Sequence, residues 1–301
     1  MDTRRALLVD AFTTEPLSGN PAGLVPDADG LDDESMAAIA RELDASETAF
    51  LSAGEGDGRR IRYFTPTGEI DLCGHATVAA GAWLAADGRI EDGEHVFETN
   101  VGALDVEVAG GTVWMDGESA TVSEIDLGYD RIAAALGADP ATLADIGADL
   151  PLATASTGLD YLVVPVNFLE ALSGLDPDFR AIAELTAESD VTGVYAFTFD
   201  TLDRDTTLHG RMFAPGVGVD EDPVTGTASG AVGAYLREFE AFDGELPEEL
   251  LLEQGHFVDR PGRVRVRPRA DPIAVGGTAV AALDGTVSVP ERDDDDGIIE
   301  I

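Results

Sequence analysis

Two stretches of this chain spell nearly the same helix. Residues 73–84 read CGHATVAAGAWL and residues 225–236 read TGTASGAVGAYL. Aligned without gaps, Gly74/Gly226, Ala76/Ala228, Ala79/Ala231, Gly81/Gly233, Ala82/Ala234 and Leu84/Leu236 are identical, and Trp83 faces Tyr235. Upstream, FTPTG at Phe64–Gly68 is echoed by FAPGV at Phe213–Val217. A helix that is apolar on nearly every face has no side to turn to water, so it must be buried all round. Its alanines and glycines let neighbouring strands pack close. The repeat therefore predicts two similar halves, each wrapping strands around one central helix that begins at a glycine.

The remaining pattern supplies those strands. Alternating or apolar runs predict them at Ala6–Phe12, Thr48–Leu51, Arg60–Phe64, Val96–Glu98, Leu104–Val108, Thr112–Met115, Leu159–Val166, Val194–Phe199, Leu208–Phe213 and Arg263–Arg267. Two further short runs lie between Ile273 and Val289. Helical periodicity covers Asp33–Leu43, Arg131–Leu136 and Phe179–Ala187 besides the central Ala76–Ala86 and Ala228–Phe239. Helices interrupt the strands irregularly, which predicts an α+β fold and not a βαβ repeat. The first half is expected over residues 1–119 and the second over 125–290, with the boundary near Gly117–Ile125. Residues 291–301, ERDDDDGIIEI, read as a solvated acidic tail.

Charge decides which partners are open to such a molecule. The chain carries 59 acidic residues against 18 basic ones, a net charge of −41, and every basic residue is an arginine. So negative a field repels phosphate backbones and anionic membranes, so neither nucleic acid nor membrane is expected as a partner. The absence of lysine together with the excess of carboxylates reads as adaptation to high salt, where ions screen the self-repulsion. Without lysine there is no Schiff base for pyridoxal phosphate and no P-loop. The single cysteine, Cys73, excludes an internal disulfide and a multi-cysteine zinc site. The opening MDTRRALLVDAF has no apolar run of signal-peptide length, and a cytoplasmic location is expected. Arg263, Arg265, Arg267 and Arg269 alternate on one strand face, as a salt-bridged solvent face or a subunit interface would.

Chemistry is expected where the two buried helices begin. The first N–H groups of a helix lack partners and the helix dipole favours an anion there. Gly74–Thr77 and Gly226–Ser229 would present two such ends to one cleft and hold a carboxylate without lysine or metal. Local capping by Thr77 or Ser229 is the competing reading of each end.

The blocks GNPAGLV (Gly19–Val25), SETAFL (Ser46–Leu51), FTPTGEIDLCGHAT (Phe64–Thr77) and EDPVTGTASG (Glu221–Gly230) resemble, in order and spacing, the motifs of the PhzF-like isomerases of phenazine biosynthesis. EQGHFVDRPGRVRV (Glu253–Val266) resembles the later EQG…GRPS segment of that family. The resemblance spans nearly the whole chain. It implies the diaminopimelate-epimerase fold, two pseudo-symmetric barrel-like halves each around a central helix, and an isomerase that needs no metal and no cofactor. In the phenazine pathway the family's substrate is trans-2,3-dihydro-3-hydroxyanthranilate.

Carried over residue by residue, the resemblance makes Glu47 the proton-shuttling carboxylate, with His75 and Asp222 the other catalytic groups. Gly74, Ala76, Gly226, Thr227, Ala228 and Asn20 are implied as substrate-binding residues. A carboxylate shielded from water has its pKa raised toward neutrality, which suits acid–base work. An imidazole at a helix N-terminus is disfavoured as a cation and can act as a neutral donor. Asp222 could orient His75 or a substrate amine, or cap the turn before Pro223 with Asp220 and Glu221. Thr227 stands where the family usually has serine, and Asp259 and Gly262 depart from GRPS, so the substrate need not be the family's. Racemases of this fold use two opposed cysteines; here Cys73 faces Thr225, whose hydroxyl is no base near neutral pH.

The expected activity is movement of a proton between carbons of a small, unsaturated or cyclic amino or hydroxy acid. The alternatives are an amino-acid epimerase or racemase of the same fold, or a catalytically silent carboxylate-binding protein. A small-molecule carboxylate and a second copy of the chain, as a homodimer, are the expected partners.

Overall fold

The computed structural model describes residues 2–54, 58–144 and 150–290; the acidic tail expected over 291–301 lies outside the described residues. Among the described residues, eighteen strands join in one continuous hydrogen-bonded network. Starting from Ala279–Ser288, neighbouring strands run Thr3–Ala11, Asn20–Val25, Thr48–Ala53, Arg59–Thr65, Gly93–Thr99, Gly102–Ala109 and Thr112–Asp116. Six of these strands touch the helix Gly74–Ala86. The ladder then crosses from Thr112–Asp116 to Ala274–Gly277, pairing Trp114 with Gly276. It continues through Gly262–Arg267, Leu250–Gln254, Leu208–Ala214, Gly193–Thr198, Asp160–Pro165, Ala153–Ser156 and Thr121–Glu124, beside the helix Gly226–Glu238.

Both central helices are buried as their composition requires. Ala76–Leu84 and Ala228–Leu236 are buried without a break, and one hydrophobic core spans both. Outer helices behave differently because they are amphipathic. Asp33–Leu43 is capped by Asp32, whose side chain accepts from Ser35 N; it buries Ser35, Met36, Ile39 and Ala40 and packs Ala37 and Leu43 at the edge of that face. A second core packs Phe179–Ser189 and Tyr129–Leu136 against the outer face of the strands Asp160–Pro165 and Gly193–Thr198.

Two departures from the sequence reading matter for the site. Asn20–Val25 is a strand although its sequence, NPAGLV, carries turn residues. It is held by pairing on both sides, antiparallel to Thr3–Ala11 and parallel to Thr48–Ala53. A side chain at Gly23 would lie 2.3 Å from Thr48 Oγ1, so only glycine lets these two strands approach. Second, Ala279–Ser288 is one ten-residue strand and not a short run, and it returns to pair with Thr3–Ala11. A cut near Gly117–Ile125 would leave that strand with the other half; the chain instead closes the first set of strands with its own last one. Among the described residues, no helix is long and apolar enough to cross a membrane.

Candidate active site

Glu47 immediately precedes the strand Thr48–Ala53, and its carbonyl accepts from Gly23 N at 2.8 Å. The glycine-dependent strand pairing thus carries it to the start of the helix Gly74–Ala86. There Glu47 Oε2 lies 3.4 Å from His75 Nε2, and His75 Nδ1 lies 3.4 Å from Cys73 Sγ. The 3.4 Å approach is an ionic-range contact without hydrogen-bond geometry: His75 Nε2 is buried and has no hydrogen-bond partner among the described residues. Burial pushes the imidazole pKa down and the Glu47 charge only partly restores it. The neutral imidazole expected from the helix dipole is therefore favoured chiefly by burial. Burial, then Glu47, pushes the Cys73 thiol well up, so Cys73 is a poor thiolate and not a base in waiting.

Asp222 comes from the other half. Its Oδ1 accepts from Asn20 Nδ2 at 3.0 Å and its Oδ2 from Thr225 Oγ1. Its carbonyl accepts from Gln254 Nε2 at 2.7 Å. Burial pushes its carboxyl pKa up to about 7 against the pull of those two donors, and the charge of Glu47 pushes the same way. Glu47 and Asp222, from opposite halves, thus lie within electrostatic reach of each other. Asp222 is bonded to Asn20 and Thr225 and not to His75, so Glu47 and Cys73 are the neighbours that orient the imidazole. Glu221 does not share in capping the turn; it forms a two-pronged pair with Arg211 at 2.9 and 2.8 Å.

The two helix ends resolve the question of local capping. Neither Cys73 nor Thr225 makes a side-chain cap. Thr77 Oγ1 donates to Cys73 O at 2.7 Å and Ser229 Oγ to Thr225 O at 2.8 Å, so both hydroxyls serve carbonyls and neither caps the leading N–H groups. Gly74 and Gly226 are the first residue of each helix and half-buried, as is Thr227. Ala76 and Ala228 are fully buried, so their methyl groups are closed to a substrate. Asn20, implied as a substrate contact, spends its Nδ2 on Asp222 and on Val224 O at 2.8 Å and is 3% exposed. Its amide positions Asp222.

Three further residues belong to this constellation. Gln254 is buried and ties both Asp222 O and Thr225, accepting from Thr225 N at 3.2 Å. Tyr161 OH meets Thr227 Oγ1 at 2.7 Å. Thr225 holds Asp222 Oδ2. Gln254 was within reach of sequence reasoning, as the amide of the EQG block; Tyr161, in an ordinary strand pattern, carried no signal. The site is set by chemistry and not by volume: a cavity of about 340 Å³ beside Thr14, His256 and Arg263 contains none of Glu47, His75 or Asp222.

Known proteins resemble this chain over nearly its whole length. The family model for phenazine biosynthesis-like proteins, PhzC-PhzF, matches residues 9–285. An uncharacterized isomerase of Deinococcus radiodurans is 40% identical over 294 residues, covering 92% of each chain. The crystal structure of a PhzF-family phenazine biosynthesis protein from Bacillus anthracis superposes with a TM-score of 0.86 at 32% identity, covering 96% of this chain and all of that one. A hydroxyproline epimerase from Agrobacterium vitis, with bound trans-4-hydroxy-L-proline, shares the fold at a TM-score of 0.57 and 13% identity, covering 95% of this chain and 92% of that one.

Proposed function

Because this chain belongs to the phenazine biosynthesis-like (PhzC-PhzF) family of isomerases, we propose that it moves a proton between two carbons of a small amino or hydroxy acid, with Glu47 as the sole shuttle and no cofactor. The observation that carries the reading is the meeting of Glu47, His75 and Asp222 at two helix starts that lack side-chain caps. The substrate carboxylate sits on the N–H groups that begin the two helices. Glu47 takes a proton from one carbon, the double bond shifts, and Glu47 returns the proton to another, so atoms and electrons balance without an external reagent. Asp222, whose carboxyl keeps its proton up to about pH 7, donates a hydrogen bond to the developing enol, as a neutral acid in a dry site can. His75 and Thr227 complete the hold. The repeat of the central helix supports a duplicated, pseudo-symmetric origin of the two halves.

The reading is tested with a panel of cyclic and unsaturated amino and hydroxy acids in deuterated water, followed by NMR. The parent protein incorporates deuterium at the carbon that gains the proton. Glu47→Gln lowers that rate by ~10²–10⁴-fold, while calorimetry shows carboxylate binding retained, because binding rests on the helix ends. Exchange by the variant near the parent rate would falsify the role of Glu47. Deuterium at the α-carbon with loss of optical purity and no double-bond shift would instead mark an epimerase, and binding without exchange a silent carboxylate binder.

A further inference from the structure

The corner that holds Glu47 contains more donor chemistry than proton transfer needs. One carboxylate oxygen of Glu47, Sγ of Cys73 and one ring nitrogen of His75 lie within 4.8 Å of one another. The shortest approaches are 3.4 Å from sulfur to Nδ1 and 3.4 Å from carboxylate to Nε2. Those two approaches are to opposite ring nitrogens, so an imidazole bound through one of them has one donor already near and the other within 4.8 Å. Bond lengths of about 2.0–2.3 Å place donors about 3.3–3.6 Å apart around a tetrahedral zinc ion, so that second donor must swing inward by about an ångström. The ring nitrogen facing Glu47 is buried with no hydrogen-bond partner among the described residues. Burying such an atom is costly unless something occupies it part of the time.

We infer that Glu47, Cys73 and His75 form a binding site for a thiophilic divalent cation of the Zn²⁺ class, which acts as an inhibitor competing with substrate and not as a cofactor. Binding releases one proton to solvent, from the Cys73 thiol. Thiolate and carboxylate together then neutralise the dication, which is what a buried site requires. Sulfur and imidazole favour zinc and cobalt over magnesium and calcium. The many surface carboxylates would attract any cation, but with oxygen donors alone. Inhibition rests on the proposed role of Glu47, since a carboxylate held by a metal cannot shuttle protons; binding does not depend on it.

The full chain is titrated with Co²⁺ as an optical stand-in for zinc. The expected result is one bound ion with the strong visible bands of tetrahedral cobalt and a thiolate-to-cobalt band in the near ultraviolet. One equivalent of Zn²⁺ displaces it and excess Mg²⁺ does not. Cys73→Ser removes the thiolate band, and His75→Ala weakens cobalt binding by more than about 100-fold. Glu47→Gln, a near-isosteric change that keeps the fold, retains the thiolate band at lower affinity. The inference is overturned if the parent shows no thiolate band, if Cys73→Ser keeps it, or if the only absorbance is weak and lost to Mg²⁺, the mark of surface carboxylates. In the deuterium assay, stoichiometric Zn²⁺ stops exchange and a chelator restores it. A bound ion that leaves exchange untouched would refute the inhibition and the shuttle role of Glu47, with the binding site itself standing.

Discussion

Folding treats two desolvated carboxyls, Asp222 and Glu253, in opposite ways. Glu253 is desolvated, yet His209 Nδ1 at 2.9 Å, Leu202 N at 2.6 Å and Thr206 Oγ1 at 3.0 Å outweigh that and hold its carboxyl pKa below the ordinary value. Asp222 receives only two neutral donors and faces Glu47, so burial wins and its pKa rises to about 7. The folded state therefore binds a proton at Asp222 that the unfolded chain has already released. Stability from this group is full below about pH 4 and is lost as pH rises toward 7. Asp222→Asn should remove that slope. Relative to the variant, the parent should lose up to about 1.4 kcal/mol for each pH unit in that window. Urea midpoints at constant molar salt between pH 4 and 8 measure it, and a parent–variant difference independent of pH would contradict the assignment. The sequence motif pointed to Asp222 as a functional residue. Its proton affinity was not legible, because it is set by Asn20, Thr225 and Glu47, which no local pattern ties together.

The paired helices show how a repeat is adapted element by element. Where the first helix has Val78, the second has Gly230. A Cβ at Gly230 would lie 2.7 Å from Thr157 Oγ1 and 2.9 Å from Val275 Cγ2. Alanine for glycine inside a helix ordinarily gains about 1 kcal/mol, whereas overpacking a core costs about 1–3 kcal/mol. Gly230→Ala should therefore destabilise the fold, by up to about 2 kcal/mol, since a β-branched valine yields little. A chemical-denaturation midpoint that rises in this variant would show that the strands around the second helix are looser than the contacts indicate. The arginine stripe is likewise an element whose surroundings decide its role. Arg263 pairs with Asp203, Arg265 with Glu249 and Arg267 with Glu107 at 2.6 Å, while Arg269 donates to Leu246 O. It is a salt-bridged face, one of the two readings its alternation allowed.

For the whole molecule, electrostatics outside the site is lopsided. Arginines are already engaged, as Arg62 is with Asp33 and Glu69 and Arg89 with Asp27 and Asp87. With 59 acidic residues against 18 basic ones, carboxylates outnumber the available cations about three to one. Exposed pairs contribute little each, so they cannot offset the repulsion of the remainder. At ionic strengths near 0.01 M the screening length grows to about 30 Å, comparable with the molecule, against about 3 Å at 1 M. The fold should loosen on dilution from molar salt, seen as loss of far-ultraviolet circular dichroism and reversed on adding salt back. An unchanged spectrum in dilute buffer would refute adaptation to high salt.

What the chain determined locally is the pair of buried helices, their glycine starts and the motif residues Glu47, His75 and Asp222. The helices and their glycine starts follow from composition and spacing within a dozen residues, where periodicity and helix physics act; Glu47, His75 and Asp222 are implied by the resemblance of their motifs to a known family. Tertiary structure alone decided the rest. Asn20–Val25 became a strand because both its neighbours pair with it across Gly23, although its own residues read as a turn. Ala279–Ser288 crossed back to the first strand, a choice invisible to any window of sequence. The opposing behaviour of His75, Asp222 and Glu253 arose likewise from burial and from partners up to some two hundred positions away. Pairing and proton affinity are sums over neighbours in space, and a sequence lists neighbours only along the chain.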